Sequence, residues 1–193
     1  MRIDINQQKI SIGDKYKIYI DGHQTYSAAS VLFKFLSVIN LFNNEGSNLR
    51  LTINKMWSWF KPKYNIRLYD NTILKFRSES FWKMHYQCQN GKDLFDIYGH
   101  RGRKYSVYKN DNQIAWWDKQ AVSWFNGDNY TIIAENSSPD YELIIAFCLI
   151  MDDYYHNKND RNAVKIDFGN IGSQVRKFNP DWKPDEKRKH SLW

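Results

Sequence analysis

The stretch from Leu143 to Met151 is an unbroken run of apolar residues, and it constrains the fold more than any other feature of the chain. It follows Ser138-Pro139, an order typical of a helix N-cap and first turn, and it ends at Asp152-Asp153. A run of this length makes about two and a half helical turns, so apolar side chains cover its whole circumference. Such a helix, predicted over residues 139–156, has no solvent-facing side and must be enclosed by the rest of the fold.

The residues before this helix predict short strands. Tyr16, Ile18 and Ile20 alternate with more polar residues and end at Asp21-Gly22, a hairpin turn signal. Further strand faces with the same alternation are Leu49-Leu51-Ile53, Tyr64-Ile66-Leu68 and Leu74-Phe76. The segment His23–Phe42, which lies between the first strand and Leu49, fits either two strands broken near Lys34 or a strand and a short helix. Asn43–Gly46 is predicted to form a turn.

A weak repeat runs through the middle of the chain. Tyr64, Tyr86, Tyr105 and Tyr130 each begin a strand-like segment of similar length. The turns that separate the strand halves contain Asn71, Asn90-Gly91, Asn110–Asn112 and Asn126-Gly127. About ten to twelve short strands indicate a barrel or a sandwich, and an apolar helix can fill the interior of a large barrel.

These patterns predict one domain over residues 1–172, followed by a tail over residues 173–193. Val164, Ile166 and Phe168 predict one last strand after the helix. The tail is basic and contains two prolines, and Phe178, Trp182 and Trp193 are candidates for attaching it to the barrel.

Composition favours a cytoplasmic protein without a membrane span. Mean hydropathy is −0.72, and no apolar run approaches the roughly 18 residues of a spanning helix. The first residues lack the apolar stretch of a signal peptide. The only cysteines, Cys88 and Cys148, have no metal-site spacing and fit a reducing compartment.

No sequence motif indicates a reaction, so we expect a non-enzymatic protein without cofactor or metal. Nucleophile elbows, zinc-binding helices and phosphate-binding glycine loops are not found, and the five histidines are scattered. Asp167-Phe168-Gly169 spells a kinase triplet without the other kinase motifs. Asp152-Asp153 fits either a paired-carboxylate site or, as we expect, the point where the helix leaves the barrel and meets solvent or a basic partner.

The net charge of +7 is concentrated in two parts of the chain. From Lys55 to Lys83 there are seven basic and two acidic residues, and the last twenty residues carry six basic and three acidic ones. Such an excess favours acidic partners, either anionic lipid or nucleic acid, although solubility alone also explains it.

The candidate anion-binding residues lie on one predicted hairpin and one turn. Lys75 and Arg77 alternate with apolar residues and so share an outward face, and Arg67 joins them if the two strands form a hairpin. The turn contributes the remaining candidates, Arg101, Arg103 and Lys104. Guanidinium groups suit phosphate because they offer paired donors. The alternative is a solvated face with salt-bridge partners such as Glu79.

Aromatic residues next to this charge leave further functions open. Trp57, Trp59 and Phe60, close to Lys61 and Lys63, could stack on bases or lie at a membrane interface; we expect core packing or a plug at the barrel end. The alternative functions are therefore a nucleic-acid-binding or protein-interaction module on the basic surface, or an enzyme with a site at the barrel mouth.

The order of strands and helix resembles the LURP-one-related family of the tubby C-terminal-like superfamily, which also includes the phospholipid scramblases. The segments that carry the resemblance are Ile12–Tyr19, Leu51–Ile66 and the apolar helix Glu142–Met151. It extends over roughly residues 10–170, while Ala28–Asn48 and the basic tail fit the family pattern less well.

This resemblance implies a closed barrel of about twelve strands around a central C-terminal helix. Tubby domains bind phosphoinositide head groups through basic residues on the barrel surface, so the resemblance also implies binding of an anionic ligand such as a phospholipid head group. Together with the cytoplasmic location that composition favours, this predicts a protein that is peripheral at the membrane. Calcium binding, linked to the scramblases, is not implied, because the chain has no acidic calcium loop.

Overall fold

The structure is a computed structural model that describes residues 1–9, 14–33, 36–43, 48–58, 61–80, 83–120, 129–136, 139–159 and 175–185. Several predicted features lie outside these residues. They are Ile12-Gly13, the turns at Asn44–Gly46 and Asn126-Gly127, Trp59, Phe60, the N-cap Ser138, the last strand Val164–Phe168, the Asp167-Phe168-Gly169 triplet and Trp193.

Twelve strands precede one helix in the described chain. The strands are β1 (Arg2–Lys9), β2 (Asp14–Ile20), β3 (His23–Phe33), β4 (Leu36–Asn43), β5 (Leu49–Lys55), β6 (Lys63–Leu68), β7 (Ile73–Ser78), β8 (His85–Asn90), β9 (Asp93–His100), β10 (Lys104–Lys109), β11 (Asn112–Gln120) and β12 (Asn129–Ala134). The helix is α1 (Tyr141–Asn159). It begins two residues later and ends three residues later than the predicted 139–156.

Each strand pairs antiparallel with the next, and β1 also pairs with β12, which closes the barrel. Ile5 of β1 lies opposite Ile18 on one side and Tyr130 on the other. The predicted hairpin turn between β2 and β3 is present, with positive φ angles of 47° at Asp21 and 86° at Gly22. The predicted closed barrel of about twelve strands is therefore confirmed.

Helix α1 runs through the middle of the barrel, as the all-round apolar run requires. Residues 144–150 are completely buried, although they point in every direction around the helix axis. The Phe147 ring lies 5.8 Å from that of Phe76 on β7 and 5.7 Å from that of Phe95 on β9. The prediction of a central enclosed helix is confirmed.

The helix enters at the barrel end where β5 begins, which we call the entry end. There Glu142 accepts hydrogen bonds from Arg50 Nε at 2.8 Å and from the Tyr26 hydroxyl at 3.0 Å. Asp140, just before the helix, pairs with Lys109 at the end of β10 over 2.8 Å. Carboxylates at this position are favourable because they face the positive end of the helix dipole.

Three register shifts lie close to the entry end. An extra residue sits in β3 at Thr25, in β5 at Arg50 and in β11 at Ile114, each opposite a strand that continues without one. A bulge increases local twist and reverses the alternation of inward and outward side chains beyond it. The bulges therefore explain how Arg50 reaches the helix start from a position that alternation would assign to the outside.

The extra residue at Arg50 also makes one predicted strand face partly wrong. Leu51 and Ile53 are buried as predicted, but Leu49 is 48% exposed, because the extra residue at Arg50 lies between it and Leu51. The open question over His23–Phe42 is answered in favour of two strands, β3 ending at Phe33 and β4 beginning at Leu36, while the predicted break near Lys34 lies outside the described residues.

The described part of the tail, residues 175–185, contains no strand or helix and lies on the outer face of β9–β11. Phe178 contacts His100 and Trp116 there, so it attaches the tail to the barrel as predicted. The predicted division into a domain over 1–172 and a tail over 173–193 stays a prediction.

Candidate functional site

Three of the six predicted anion-binding residues lie together on the outer face of the β6–β7 hairpin. Lys75 and Arg77 are exposed on β7, and Arg67 is exposed on β6. Lys63 adds a fourth cation, because it lies directly opposite Arg77 in the antiparallel register. We call Lys63, Arg67, Lys75 and Arg77 the β6–β7 basic face.

The other three candidates form a separate group. The turn Arg101–Arg103 connects β9 to β10, and Lys104 is the first residue of β10, so these residues lie two and three strands beyond β7 in the barrel. Lys104 pairs with Asp118 over 3.6 Å, and its Nζ lies 5.3 Å above the Phe178 ring. The six residues therefore belong to two different strand pairs.

A buried carboxylate lies between the two groups. Asp96 on β9 accepts a hydrogen bond from Gln87 Nε2 at 2.8 Å, and its Oδ1 lies 2.6 Å from His85 Nε2. Gln87 in turn lies opposite Arg77 in the β7–β8 register. Asp96 is therefore bound by neighbouring side chains of the sheet and is only 7% exposed.

A second polar cluster lies inside the barrel, near the end opposite the entry end. The sequence reasoning missed it. Asp153 accepts hydrogen bonds from the Tyr64 hydroxyl at 2.7 Å and from Lys55 Nζ at 2.9 Å. Asp152 accepts one from the Tyr16 hydroxyl at 2.8 Å and another from the Tyr130 hydroxyl. We call these six residues the tyrosine–carboxylate clamp.

The expectation for Asp152-Asp153 was solvent or a basic partner; the clamp excludes solvent, and the basic group beside Asp153 is Lys55 of the same chain. Both carboxylates are buried, and α1 continues beyond them to Asn159. Burial first, and the nearby carboxylates next, raise the pKa of Tyr16 and of Tyr64 well above the ordinary tyrosine value. The phenols therefore stay protonated and act as hydrogen-bond donors, which is what buried carboxylates require.

The clamp joins opposite sides of the barrel through the helix. Asp152 bonds to β2 and β12, whereas Asp153 bonds to β5 and β6. Because each carboxylate is bound to two different strands, the arrangement is suited to fixing the rotation and depth of the helix.

A signal for the clamp was present in the sequence as the repeated strand-opening tyrosine. Tyr64 and Tyr130 of that repeat supply clamp hydroxyls, and burial, followed by interaction with Tyr155 of the helix, raises the pKa of Tyr86. Tyr105 differs, because its ring stacks on Trp117 at 4.9 Å. Three of the four tyrosines in the repeat are therefore directed at the helix.

One serine–histidine pair has hydrogen-bond geometry but lies in a poor setting for catalysis. His100 Nε2 is 2.7 Å from Ser106 Oγ, and both side chains are almost completely buried. Burial lowers the pKa of His100 to about 4, which makes it a weak base at neutral pH. The tail residue Phe178 covers the ring of His100.

Two aromatic side chains near the β6–β7 basic face are exposed to solvent. Trp57, just beyond β5, is 64% exposed, and Tyr69 in the β6–β7 turn is 71% exposed. The core-packing interpretation is therefore wrong for Trp57. Among the residues that the structure describes, no helix is both long enough and apolar enough to cross a bilayer.

Comparison with known proteins agrees with this architecture. The family model described as LURP-one-related matches residues 1–152, which include all twelve strands and the buried apolar run of α1. Searches of curated proteins and of solved structures gave no match. Because the family model covers well over half of the chain, the protein belongs to the LURP-one-related family.

Proposed function

We propose that this protein is a non-enzymatic barrel that binds an anionic ligand, such as a phospholipid head group, on the β6–β7 basic face. The observation that carries the proposal is the direct opposition of Lys63 and Arg77 across the two strands. Like charges directly opposite each other destabilise a sheet. An anion bound between the two cations would relieve this repulsion.

Local compensation of this charge is small. Arg77 pairs with Glu79 over 2.7 Å, but its side chain remains 65% exposed. Within the described part of the chain, Lys63, Arg67 and Lys75 have no carboxylate within 4.0 Å. Lys75 lies opposite Asn65, an uncharged residue. These cations are therefore available to an external anion.

The apolar residues around the basic face favour a lipid surface over a free anion. Tyr69 and the half-exposed Ile73 lie at one end of the hairpin, and Trp57 and Met56 follow β5 near the other. Exposed aromatic and aliphatic side chains next to cations are typical of proteins that bind at the head-group level of a bilayer. Each cation near an anionic membrane contributes about 1 kcal/mol.

The filled interior supports the non-enzymatic part of the proposal. The helix side chains from Leu143 to Met151 occupy the barrel centre, and the clamp satisfies the carboxylates beside them. The turn at Arg101–Lys104 is not included in the proposed surface, and its role in anion binding stays a prediction.

Flotation with vesicles tests the proposal. We expect the protein to float with vesicles of phosphatidylcholine and phosphatidylserine but not with phosphatidylcholine alone. Lys75→Ser/Arg77→Ser removes two charges from the basic face and should weaken binding roughly 30-fold, as about 2 kcal/mol implies. The matched control is Lys15→Ser/Lys17→Ser, which removes two exposed lysines from β2, on another side of the barrel.

Equal recovery with both kinds of vesicle, or equal loss in the two variants, would contradict the proposal. Retention on single-stranded oligonucleotides at low salt without vesicle binding would instead favour the nucleic-acid function.

A further inference from the structure

Aromatic residues line the outer face of β9–β11, away from the β6–β7 basic face. Ser106 on β10 lies opposite Tyr98 on β9 and Trp116 on β11. The residues beside these in sequence, such as Ile97 and Trp117, are completely buried in the barrel interior. Tyr98 and Trp116 therefore point outward. We call Tyr98, His100, Ser106, Tyr108 and Trp116 the β9–β11 groove.

The groove is covered even though it faces outward. Tyr98 and Tyr108 are each only 9% exposed, and His100 and Ser106 only 1%. By contrast, most side chains on the outer face of β7 are exposed. Two side chains of the tail segment 175–185 lie on this face and contribute to the cover through ring contacts.

The first anchor is Arg176. Its guanidinium carbon lies 4.0 Å from the centre of the Tyr108 ring and 5.4 Å from that of Tyr98, which is cation–π geometry. One guanidinium nitrogen is 3.9 Å from a carboxylate oxygen of Asp111, in the β10–β11 turn. The position therefore suits a planar cation.

The second anchor is Phe178. Its ring meets the rings of His100 at 5.2 Å and Trp116 at 5.6 Å, both edge-on, and Lys104 Nζ lies 5.3 Å above it. Lys177 between the two anchors is exposed. Alternation of this kind is what an extended peptide presents to a surface, with every second side chain facing the receptor.

Residues 175–185 are not part of any strand, so the segment is not a thirteenth strand of the barrel. The ring contacts of Arg176 and Phe178 attach it through side chains, and Asp185 N also donates a hydrogen bond to Glu135 at 3.0 Å. A site that recognises two side chains on an extended segment can accept the same two side chains from another chain.

We propose that the β9–β11 groove is a peptide-recognition site for a segment with Arg two residues before an aromatic residue. The protein's own Arg176–Phe178 is the resident occupant, and a partner protein that presents the same pattern competes for the groove. A tethered segment acts at an effective concentration of about millimolar. The resident segment therefore keeps the groove closed to weak partners and open to strong or abundant ones.

The test uses the full chain with its own anchors removed, Arg176→Ala/Phe178→Ala, which leaves the groove residues unchanged. The probe is a fluorescent synthetic peptide with the sequence of residues 175–185, and the readout is fluorescence anisotropy. We expect the peptide to bind this variant about ten-fold or more tightly than the wild-type chain, because the resident segment no longer competes. Lys177→Ala/Lys183→Ala, which changes two exposed lysines of the same segment, should behave as wild type.

Two further measurements test whether binding depends on the two anchor side chains and on the residues of the β9–β11 groove. A peptide with both anchors replaced by alanine should not bind. Adding Trp116→Leu to the anchor variant should abolish binding while circular dichroism remains that of the folded barrel; if it unfolds the protein, Tyr108→Leu serves in its place.

Equal binding to wild type and anchor variant, or equal binding of the alanine peptide, would overturn the proposal. A dimer of the wild-type chain that is absent in the anchor variant would also overturn the proposal. In that case the segment in the groove would come from a second copy of the chain.

Discussion

The Tyr64 hydroxyl on β6 donates a hydrogen bond of 2.7 Å to Asp153 on the central helix, across 89 positions of sequence. Lys55 on the neighbouring strand reaches the same carboxylate oxygen, and its Nζ lies 5.6 Å from the Tyr64 ring centre. The three residues form one side of the tyrosine–carboxylate clamp. They show how a buried helix with an apolar circumference is held at one rotation, which apolar packing alone specifies poorly.

Tyr64→Phe should lower the free energy of unfolding by about 1–3 kcal/mol, because it removes one donor from a buried carboxylate while keeping the ring. Urea denaturation monitored by circular dichroism measures the change. Tyr69→Phe is the control, since that side chain is mostly exposed, and should change stability very little. Equal effects of the two substitutions would mean that the hydroxyl of Tyr64 is not part of a functioning clamp.

Lys55→Met should destabilise the fold by about 3 kcal/mol, because it leaves Asp153 buried without its cation. Thermal unfolding measures the loss, and Lys75→Met, at an exposed position without an ion pair, is the matched control. Combining Lys55→Met with Asp153→Asn should recover part of the stability. A double variant that is less stable than Lys55→Met alone would contradict the compensation between the two charges.

Ile145→Asp should prevent folding of the whole barrel, since it places an unpaired charge in the apolar centre at a cost of several kcal/mol. Phe147→Asp should do the same, because Phe147 contacts β7 and β9. Expression in soluble form and circular dichroism report the outcome. Val31→Asp, at a 40% exposed strand position, should remain folded. A folded and soluble Ile145→Asp variant would be incompatible with a central helix.

Docking of the tail segment should weaken as the pH falls from about 6.5 towards 4. Burial under the segment lowers the pKa of His100 to about 4, from 6.5 for an exposed histidine. The docked state therefore binds fewer protons, so docking is strongest above pH 6.5 and is lost progressively as protons are added. Among the charged groups near His100, Lys104 lies opposite it in the β9–β10 register and pairs with Asp118 on β11, and Arg176 lies in the segment over the neighbouring Tyr98 ring.

The measurement is peptide binding to Arg176→Ala/Phe178→Ala at a series of pH values. The dissociation constant should rise by up to about ten-fold per pH unit in that range. His100→Gln in the same background should flatten the profile, which separates the effect of His100 from that of other groups. An unchanged pH profile in the His100→Gln variant would contradict the assignment to His100.

Local sequence signals were sufficient where a structural element depends on neighbours in the chain. The Asp21-Gly22 turn follows from the residues that tolerate positive φ, and the faces of β6 and β7 follow from simple alternation. Lys75 and Arg77 were placed correctly on the outside for the same reason, and Arg67 once the hairpin was present. These features need only the period of the strand.

Alternation was insufficient where another part of the chain covers or shifts a strand. From Phe95 to His100, β9 is buried on both faces, because Arg176 and Phe178 of the tail and His85 of β8 lie over its outer side chains. Leu49 is exposed because one extra residue in β5 reverses the alternation. Neither effect leaves a periodic signal in the sequence.

The sequence by itself determined that a helix with no solvent face had to be enclosed by strands, because apolar side chains around a whole circumference exclude any other stable arrangement. Only the tertiary structure decided what surrounds its polar end and what covers the outer sheet. Tyr16 and Asp152 are 136 positions apart, and the tail anchors lie about 70 positions from the strands they cover. Contacts of such long range depend on closure of the barrel, which brings together side chains that no local spacing relates.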